Sequence, residues 1–324
     1  MKPKVAIFHS AIFESPNLAE LRQQFSEIAE ISYQTFLLDS PEHLKQSAPD
    51  ANIIIMNDVA LRFEDLRDLP HLQMVSLLGS GYDMIDLDGM KQGGVTVCNA
   101  PTYGIENVAQ HAISLMFELA HRTGTQNQAV LESGWNEARP DCISNFPIME
   151  FSGKTLGLVG YGNTAHRVKE MLSGFGMKCI SASSRSTEDL AAQGVQKVSL
   201  DQLFAESDLV SVHSRSTPSN KQFLNADLFN QMKPTSLFIN TARGELVNEA
   251  DLAAALANGK LAGAGLDVLT NEPPLADCPL LNLANCIHTP HIAWNSLAAR
   301  ERMSRESFEN AKAFLSGETQ NQVN

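Results

Sequence analysis

The stretch "TLGLVGYGNTAHRV", Thr155–Val168, decides the fold. It opens with a short apolar run, the composition of a strand covered on both faces. The run ends in Gly160-x-Gly162-x-x-Ala165 and passes into "NTAHRVKEMLSGFG", which carries helical periodicity. A second strand follows in "MKCISASSRST", Met177–Thr187. Each small residue has a separate task. Gly160 permits the tight turn, Gly162 lets the backbone approach a pyrophosphate, and Ala165 lets helix and strand pack closely. The anion then lies on the helix N-terminus, against free N–H groups and the positive end of the dipole. A glycine turn alone is commonplace in α/β proteins. Strand, turn, helix and second strand at this spacing point to a dinucleotide site.

The second strand carries a further message. An Asp or Glu near position 183 would bind the adenosine ribose hydroxyls and repel a 2′-phosphate. Ser183, Ser184 and Arg185 stand there instead. Two hydroxyls and a guanidinium suit a 2′-phosphate, which needs charge-assisted donors and no adjacent anion. NADP(H) is therefore favoured over NAD(H). Glu188 and Asp189 are near enough in sequence to engage Arg185, which leaves a plain surface role for that residue open.

Outward from this unit the chain alternates Val- and Ile-rich runs with helical patterns. The strand candidates are "KVAIF", "NIIIM", "QMVSLL", "VTVCN", "TLGLVG", "KCISA", "LVSVH", "SLFINT", "AGAGLDV" and "CIHTP". Helical periodicity marks "NLAELRQQFSEIAEI", "NEADLAAALANG" and the long apolar "NVAQHAISLMFELAHRT", Asn107–Thr123. Such alternation is the signature of parallel sheets covered by helices on both faces. Strands both before residue 101 and after residue 154 imply two sheets. Gly134 to Gly153, with Trp135, Pro140 and Pro147, reads as irregular.

Composition narrows the function. The 324 residues suit two domains, and 43% hydrophobic residues is ordinary for a globular protein. The net charge of −13 argues against nucleic acid and against an anionic membrane surface. No apolar run is long enough to span a bilayer, and the start of the chain, interrupted by His9, Ser10, Glu14 and Pro16, reads as a strand rather than a signal peptide. Cys98, Cys142, Cys179, Cys278 and Cys286 are odd in number and lack CxxC spacing, which favours reduced thiols in the cytoplasm and no metal site.

Three downstream stretches end strands in reactive side chains. "SLFINTARGELVNE" presents Arg243, "GAGLDVLTNEPP" presents Asp267 and then Glu272, and "CIHTPHIAW" presents His291. The carboxyl ends of parallel strands are where open sheets bind ligands. Singly, each residue has an ordinary structural explanation. Together they form a set for reducing a 2-oxo acid. Arg243 holds the carboxylate and polarises the ketone, His291 donates a proton, and Glu272 favours the imidazolium. "LLGSGYDMID", Leu77–Asp86, adds Ser80 and Gly81, whose N–H groups could cradle the substrate carboxylate and bridge two domains.

These residues resemble the D-isomer-specific 2-hydroxyacid dehydrogenases along essentially the whole chain. The pieces that carry the likeness are "GSGYDMID", "VCNAPTYGIENVAQHAISLMFELA", "GKTLGLVGYGN", "LVSVHSRSTPSN", "MKPTSLFINTARGELVNEADLAAAL", "AGAGLDVLTNEPP" and "TPHIAW". Within the family, "NAPTYGIENVAQH" and the stretch from Glu272 to Trp294 look most like the glycerate dehydrogenases, also called hydroxypyruvate reductases.

The resemblance implies an α/β architecture: two Rossmann-like, doubly wound parallel-sheet domains with a cleft between them. Residues 1–100 and 291–324 would form a flavodoxin-like substrate-binding domain, and 101–290 the NAD(P)-binding Rossmann domain. It also implies a homodimer built partly on the long helix after Asn107. It assigns catalysis to Arg243, Glu272 and His291, and substrate contacts to Ser80, Gly81, Arg243 and His291. Coenzyme contacts fall on Gly160, Gly162, Asn163, Thr164, Ser183, Ser184, Arg185, His213, Ser214 and Thr217. Thr241, Ala242 and Asp267 would lie toward the nicotinamide.

Ala165, Thr164 and His166 depart from the usual residues of the turn, and Arg215 is an unusual extra cation after His213 and Ser214. The reading that follows is NAD(P)H-dependent reduction of a small 2-oxo acid to a D-2-hydroxy acid, with hydroxypyruvate and glyoxylate favoured. A larger or aromatic 2-oxo acid stays open, to be decided by pocket size near Tyr103, Phe146, Met149 and Trp294. A dinucleotide-sensing binding protein of the same fold stays open as well.

Overall fold

The computed structural model describes residues 2–8, 15–34, 38, 40–56, 59–145 and 147–324. His9, Ser10, Glu14 and Phe146 lie outside the described residues. The chain divides into two compact units, Met1–Gly104 with Trp294–Asn324, and Ile105–Ala293.

The first unit is a five-stranded parallel sheet. Its strands are β1 (Lys4–Ile7), β2 (Glu30–Tyr33), β3 (Ile53–Met56), β4 (Met74–Leu77) and β5 (Thr96–Cys98), in the order β2-β1-β3-β4-β5. The run Ile53-Ile54-Ile55-Met56 is buried throughout, as a central strand covered on both faces must be. Helices α1 (Ala19–Ile28), α2 (Pro41–Ser47) and α3 (Leu87–Gln92) connect the strands. Ser40 and Asp86 cap α2 and α3 through N–H groups three residues on. The C-terminal helix Leu297–Leu315, capped by Ser296, returns to this unit. Its Ala299, Met303, Phe308 and Ala311 join the core beside Phe25, and the Phe25 and Phe308 rings meet edge to face at 4.9 Å.

The second unit carries seven parallel strands. They are β6 (Thr155–Val159), β7 (Lys178–Ala182), β8 (Gln196–Lys197), β9 (Leu209–Val212), β10 (Leu237–Asn240), β11 (Gly263–Leu266) and β12 (Cys286–His288). Their order is β12-β11-β10-β9-β6-β7-β8. The strand that opens the glycine turn therefore has β7 on one side and β9 on the other. That reversal leaves a crevice at the carboxyl ends of β6 and β9, the place where an open sheet takes its ligand. Helix α4 (Ile105–His121) buries Ala109, Ala112, Leu115, Met116, Leu119 and Ala120, a helical stripe packed into this unit's core. Helices α5 (Thr123–Ser133) and α6 (Trp135–Asn145) follow it, then α7 (Asn163–Met171), α8 (Thr187–Ala192), α9 (Leu200–Glu206), α10 (Ala226–Phe229) and α11 (Glu249–Ala257).

Two local readings need correction. Trp135–Asn145 is helical, with Pro140 inside it, where the sequence reads as irregular. One proline removes a single N–H donor, and its helix-forming neighbours sustain the turns on either side. Glu30–Tyr33 is strand rather than the end of a helix. Ala29 is extended, Glu30 donates to the Pro3 carbonyl at 2.9 Å, and the β-branched Ile31 pairs with Val5.

The first unit's core depends on the returning helix. Phe308→Ala is expected to lower unfolding free energy by about 3–5 kcal/mol, the usual cost of deleting a fully buried aromatic ring. Denaturant titration followed by circular dichroism reads this. A loss below about 1 kcal/mol would mean that the ring is not part of the core.

Candidate active site

The glycine turn forms as its residues require. Gly160 has φ of +83°, and a Cβ there would sit 2.6 Å from Ser214 Oγ. Only glycine meets both conditions. The Ser214 hydroxyl donates to the Val159 carbonyl at 3.2 Å, and the His213 N–H donates to the same carbonyl at 2.8 Å, so the β9 loop is fastened to the end of β6. Above Gly162 a Cβ would meet nothing within 4 Å. Helix α7 begins there with Asn163 and Thr164, with no side-chain cap and no acidic residue in its first turn. Ser186, Ser199, Asn225 and Asn248 cap the helices that follow it. An uncapped N-terminus beside open space fits a dinucleotide pyrophosphate.

Two buried polar atoms strengthen the fit. His213 Nε2 and Thr241 Oγ1 have no partner among the described residues. Such atoms are costly unless a ligand or water completes them. Burial pushes His213 down to about 4, so the ring is neutral.

At the adenosine end, no carboxylate closes β7. The Ser183 hydroxyl accepts the Arg185 N–H at 3.2 Å, and Ser184 is exposed. Arg185 is fixed on three sides. Its Nε donates to the Tyr161 carbonyl at 2.8 Å, its Nη1 pairs with Asp189 at 2.8 Å, and its guanidinium carbon lies 5.9 Å from the centre of the Tyr161 ring. It is a held cation and not a freely solvated one, though part of its charge is already met by Asp189. Thr217 is exposed and donates its N–H to Asn220 Oδ1 at 2.7 Å.

The three strand ends in the same unit converge. Past β10, Asn240 clamps the turn: its Oδ1 accepts the Ala242 N–H at 3.0 Å and its Nδ2 donates to the Arg243 carbonyl at 2.9 Å. Arg243 Nη1 donates to the Ala242 carbonyl at 2.8 Å. At Gly244 a Cβ would fall 2.0 Å from the Leu269 carbonyl carbon. Only glycine lets the Arg243 turn lie against the loop that carries Glu272. Glu272 Oε1 accepts the Leu269 N–H at 2.9 Å, and its Oε2 meets His291 Nδ1 at 2.6 Å.

His291 lies in the left-handed region, φ 52°, which a residue of its shape adopts only when its surroundings enforce it. The enforcing group is Asp267, 1% exposed. Its Oδ1 accepts from Thr289 Oγ1 at 2.5 Å and from the Ile292 N–H at 2.9 Å, and its Oδ2 accepts the Ala293 N–H at 2.8 Å. The His291 N–H donates to the Asp267 carbonyl at 2.9 Å. His111 Nε2, on α4, reaches Thr289 Oγ1 at 2.9 Å. Asp267, which the family resemblance puts toward the nicotinamide, spends its carboxylate on the loop that carries His291.

The electrostatics follow. The hydrogen bond to Glu272 raises the His291 imidazole above its ordinary range, with Asp267 adding to the rise; burial and the Arg243 charge oppose it and lose. Burial pulls Glu272 upward, but the His291 and Leu269 hydrogen bonds outweigh it and hold the carboxyl below its ordinary range. Both shifts favour the imidazolium–carboxylate form of the pair.

Ser80 and Gly81 lie in the other unit, in the loop after β4. Tyr103 and Trp294 pack into that unit's core, and Met149 against the α4 core of the second unit. Sequence reading missed Asn240 and His111, and it did anticipate the Arg185–Asp189 pair. The pairing of His111 with Thr289 spans 178 residues and leaves no local sign.

Residues 113–293 match the family described as D-isomer specific 2-hydroxyacid dehydrogenase, NAD binding domain. The chain is 35% identical over 295 residues to a hydroxypyruvate reductase of Blautia hydrogenotrophica, covering 91% of each protein. It is 33% identical to a glycerate dehydrogenase of Methylorubrum extorquens, over 88% of this chain and 89% of that one. A solved structure of an acyclic imino acid reductase in complex with NADPH and D-Arg superposes with TM-score 0.87 at 26% identity, covering 99% of this chain and 100% of the other. With its glycine turn and its Arg243, Glu272 and His291 strand ends, the chain belongs to the D-isomer-specific 2-hydroxyacid dehydrogenases, a family of NAD-dependent oxidoreductases.

Proposed function

We propose that the protein reduces a small 2-oxo acid, hydroxypyruvate or glyoxylate first, to the D-2-hydroxy acid, with NADP(H) favoured over NAD(H). The observation that carries this reading is the 2.6 Å His291–Glu272 pair, set beside Arg243 in the unit that bears the dinucleotide turn. The relatives named hydroxypyruvate reductase and glycerate dehydrogenase support the substrate class. The first unit serves as the substrate-binding domain and the second as the coenzyme domain.

When bound, the nicotinamide supplies the hydride. The chain supplies the rest. Arg243 offers planar paired donors that hold the substrate and draw charge from its ketone oxygen. Nδ1 of His291 is engaged by Glu272, so the proton given to the forming alkoxide is the one on Nε2. Glu272 keeps that proton in place before the transfer and orients the neutral ring after it. The N–H groups of Ser80 and Gly81 take the substrate carboxylate.

Coenzyme choice rests on the missing carboxylate at the end of β7 and on Arg185. The solved relative with NADPH supports it at the level of the coenzyme class. We place the enzyme in the cytoplasm, since its five cysteines are free. We also assign it as a homodimer. Helix α5 buries none of its residues, and Leu131, Trp135 and Ile143 on α5 and α6 are each 70% exposed or more, an apolar arm suited to a second copy.

Initial rates with hydroxypyruvate test the coenzyme reading. NADPH is expected to exceed NADH in kcat/KM, and Arg185→Ala to shrink that preference about tenfold or more, the worth of one charge-assisted contact. Equal use of both coenzymes, unchanged by the substitution, contradicts it.

The acid role has its own test. A raised His291 keeps its proton below its folded pKa and loses it above, so the reduction rate should fall as pH rises through that value. Glu272→Gln removes the raising partner and should move the fall to lower pH, while His291→Ala should lower kcat by about 10²–10⁴ with coenzyme binding retained. A pH profile indifferent to Glu272→Gln would remove His291 as the acid.

A further inference from the structure

A chain of asparagines runs through the first unit to the Ser80–Gly81 turn. Asn321 donates from Nδ2 to Asn310 Oδ1 at 2.9 Å. Asn310, fully buried on the C-terminal helix, donates from Nδ2 to the Asn99 carbonyl at 2.8 Å and to Ser76 Oγ at 3.4 Å. The Asn99 N–H donates to the Asn321 carbonyl at 3.1 Å, which closes a ring. From that ring Asn99 Nδ2 reaches out to the Ser80 carbonyl at 2.8 Å, and the next residue, Ala100, donates its N–H to the Gly79 carbonyl at 2.9 Å.

The consequence comes from peptide geometry. In a trans peptide the C=O and the following N–H point in opposite directions. Fixing the Gly79 carbonyl therefore aims the Ser80 N–H, and fixing the Ser80 carbonyl aims the Gly81 N–H. Both carbonyls are held from one side, by consecutive residues, so both N–H groups are turned to the other. Neither N–H donates to any described residue. Asn321 itself sits in the left-handed region, φ 53°, a conformation asparagine tolerates better than most residues. Buried amides are expensive unless fully bonded, and an apolar core would hold the sheet together as well. What the amides add is direction.

We propose that Asn99, braced by Asn310 and Asn321, is a positioning residue that aims the Ser80 and Gly81 N–H groups at the substrate carboxylate. The inference rests on the reading of that turn as the carboxylate cradle. It makes the last residues of the chain part of substrate recognition, through Asn321 and the ring it closes.

The test is steady-state kinetics of the full-length enzyme with hydroxypyruvate at saturating coenzyme, with coenzyme Kd measured by fluorescence. Asn99→Ala removes the side-chain donor but keeps the backbone contacts. It should raise KM for hydroxypyruvate about tenfold, the worth of roughly one aligned hydrogen bond, with coenzyme Kd unchanged. Asn310→Ala should move KM in the same direction and coenzyme Kd not at all. A neutral substrate, the amide of the same 2-oxo acid, should be turned over alike by wild type and Asn99→Ala, which a general loss of structure would not allow. Gly81→Pro removes one cradle N–H directly and separates the two ideas. If Gly81→Pro raises KM for the acid and Asn99→Ala does not, the cradle stands and the asparagine chain is overturned. If neither raises it, the cradle reading fails and takes this proposal with it.

Discussion

A carboxylate shielded from water must be met by hydrogen bonds or by charge, and Asp267 is so shielded. Its partners are the hydroxyl of Thr289 and the N–H groups of Ile292 and Ala293, the residues on either side of His291. The chain meets the carboxylate by curling around it, and the curl puts His291 in the left-handed region. The imidazole that results faces Glu272 at 2.6 Å. The hydrogen bonds to Asp267 offset both the cost of burying it and the strain at His291, and they fix the direction of the imidazole. Preorganisation of this kind is what separates a reactive histidine from an ordinary one.

The same economy recurs around the site. Asn240 spends its side chain on the turn that presents Arg243, and Gly244 gives up its side chain so that this turn can touch the Glu272 loop. Gly160 yields to Ser214 in the dinucleotide turn. In each case a residue with no chemical part of its own is fixed by the needs of one that has a part. The helix N-terminus at Gly162 stands out against this background because its donors are left free while neighbouring helices are capped by their own side chains.

What was legible in the sequence follows from this division. The glycine turn, Arg243, Glu272 and His291 announce themselves because a strand end followed by a glycine or a reactive side chain is a local pattern. The ten strand candidates fall on strands for a similar reason, since buried parallel strands are continuous apolar runs. The parts that support them were not legible. The family resemblance put Asp267 toward the nicotinamide; that its carboxylate would meet N–H groups 25 and 26 residues away is a fact of the fold. Asn99 and Asn310, 211 residues apart, show no local sign of meeting. Strand β2 lay hidden in a helical pattern because its pairing with β1, not its composition, makes it a strand. Pro140 argued for an irregular segment and was outweighed by the residues around it.

On the proposed function, this geometry delivers hydride and proton to a 2-oxo acid so as to make one hand of product. Chiral chromatography of the product formed from hydroxypyruvate and NADPH tests it most directly. D-glycerate alone is expected, formed mole for mole with coenzyme oxidised. L-glycerate, a racemate, or coenzyme bound without turnover would contradict it.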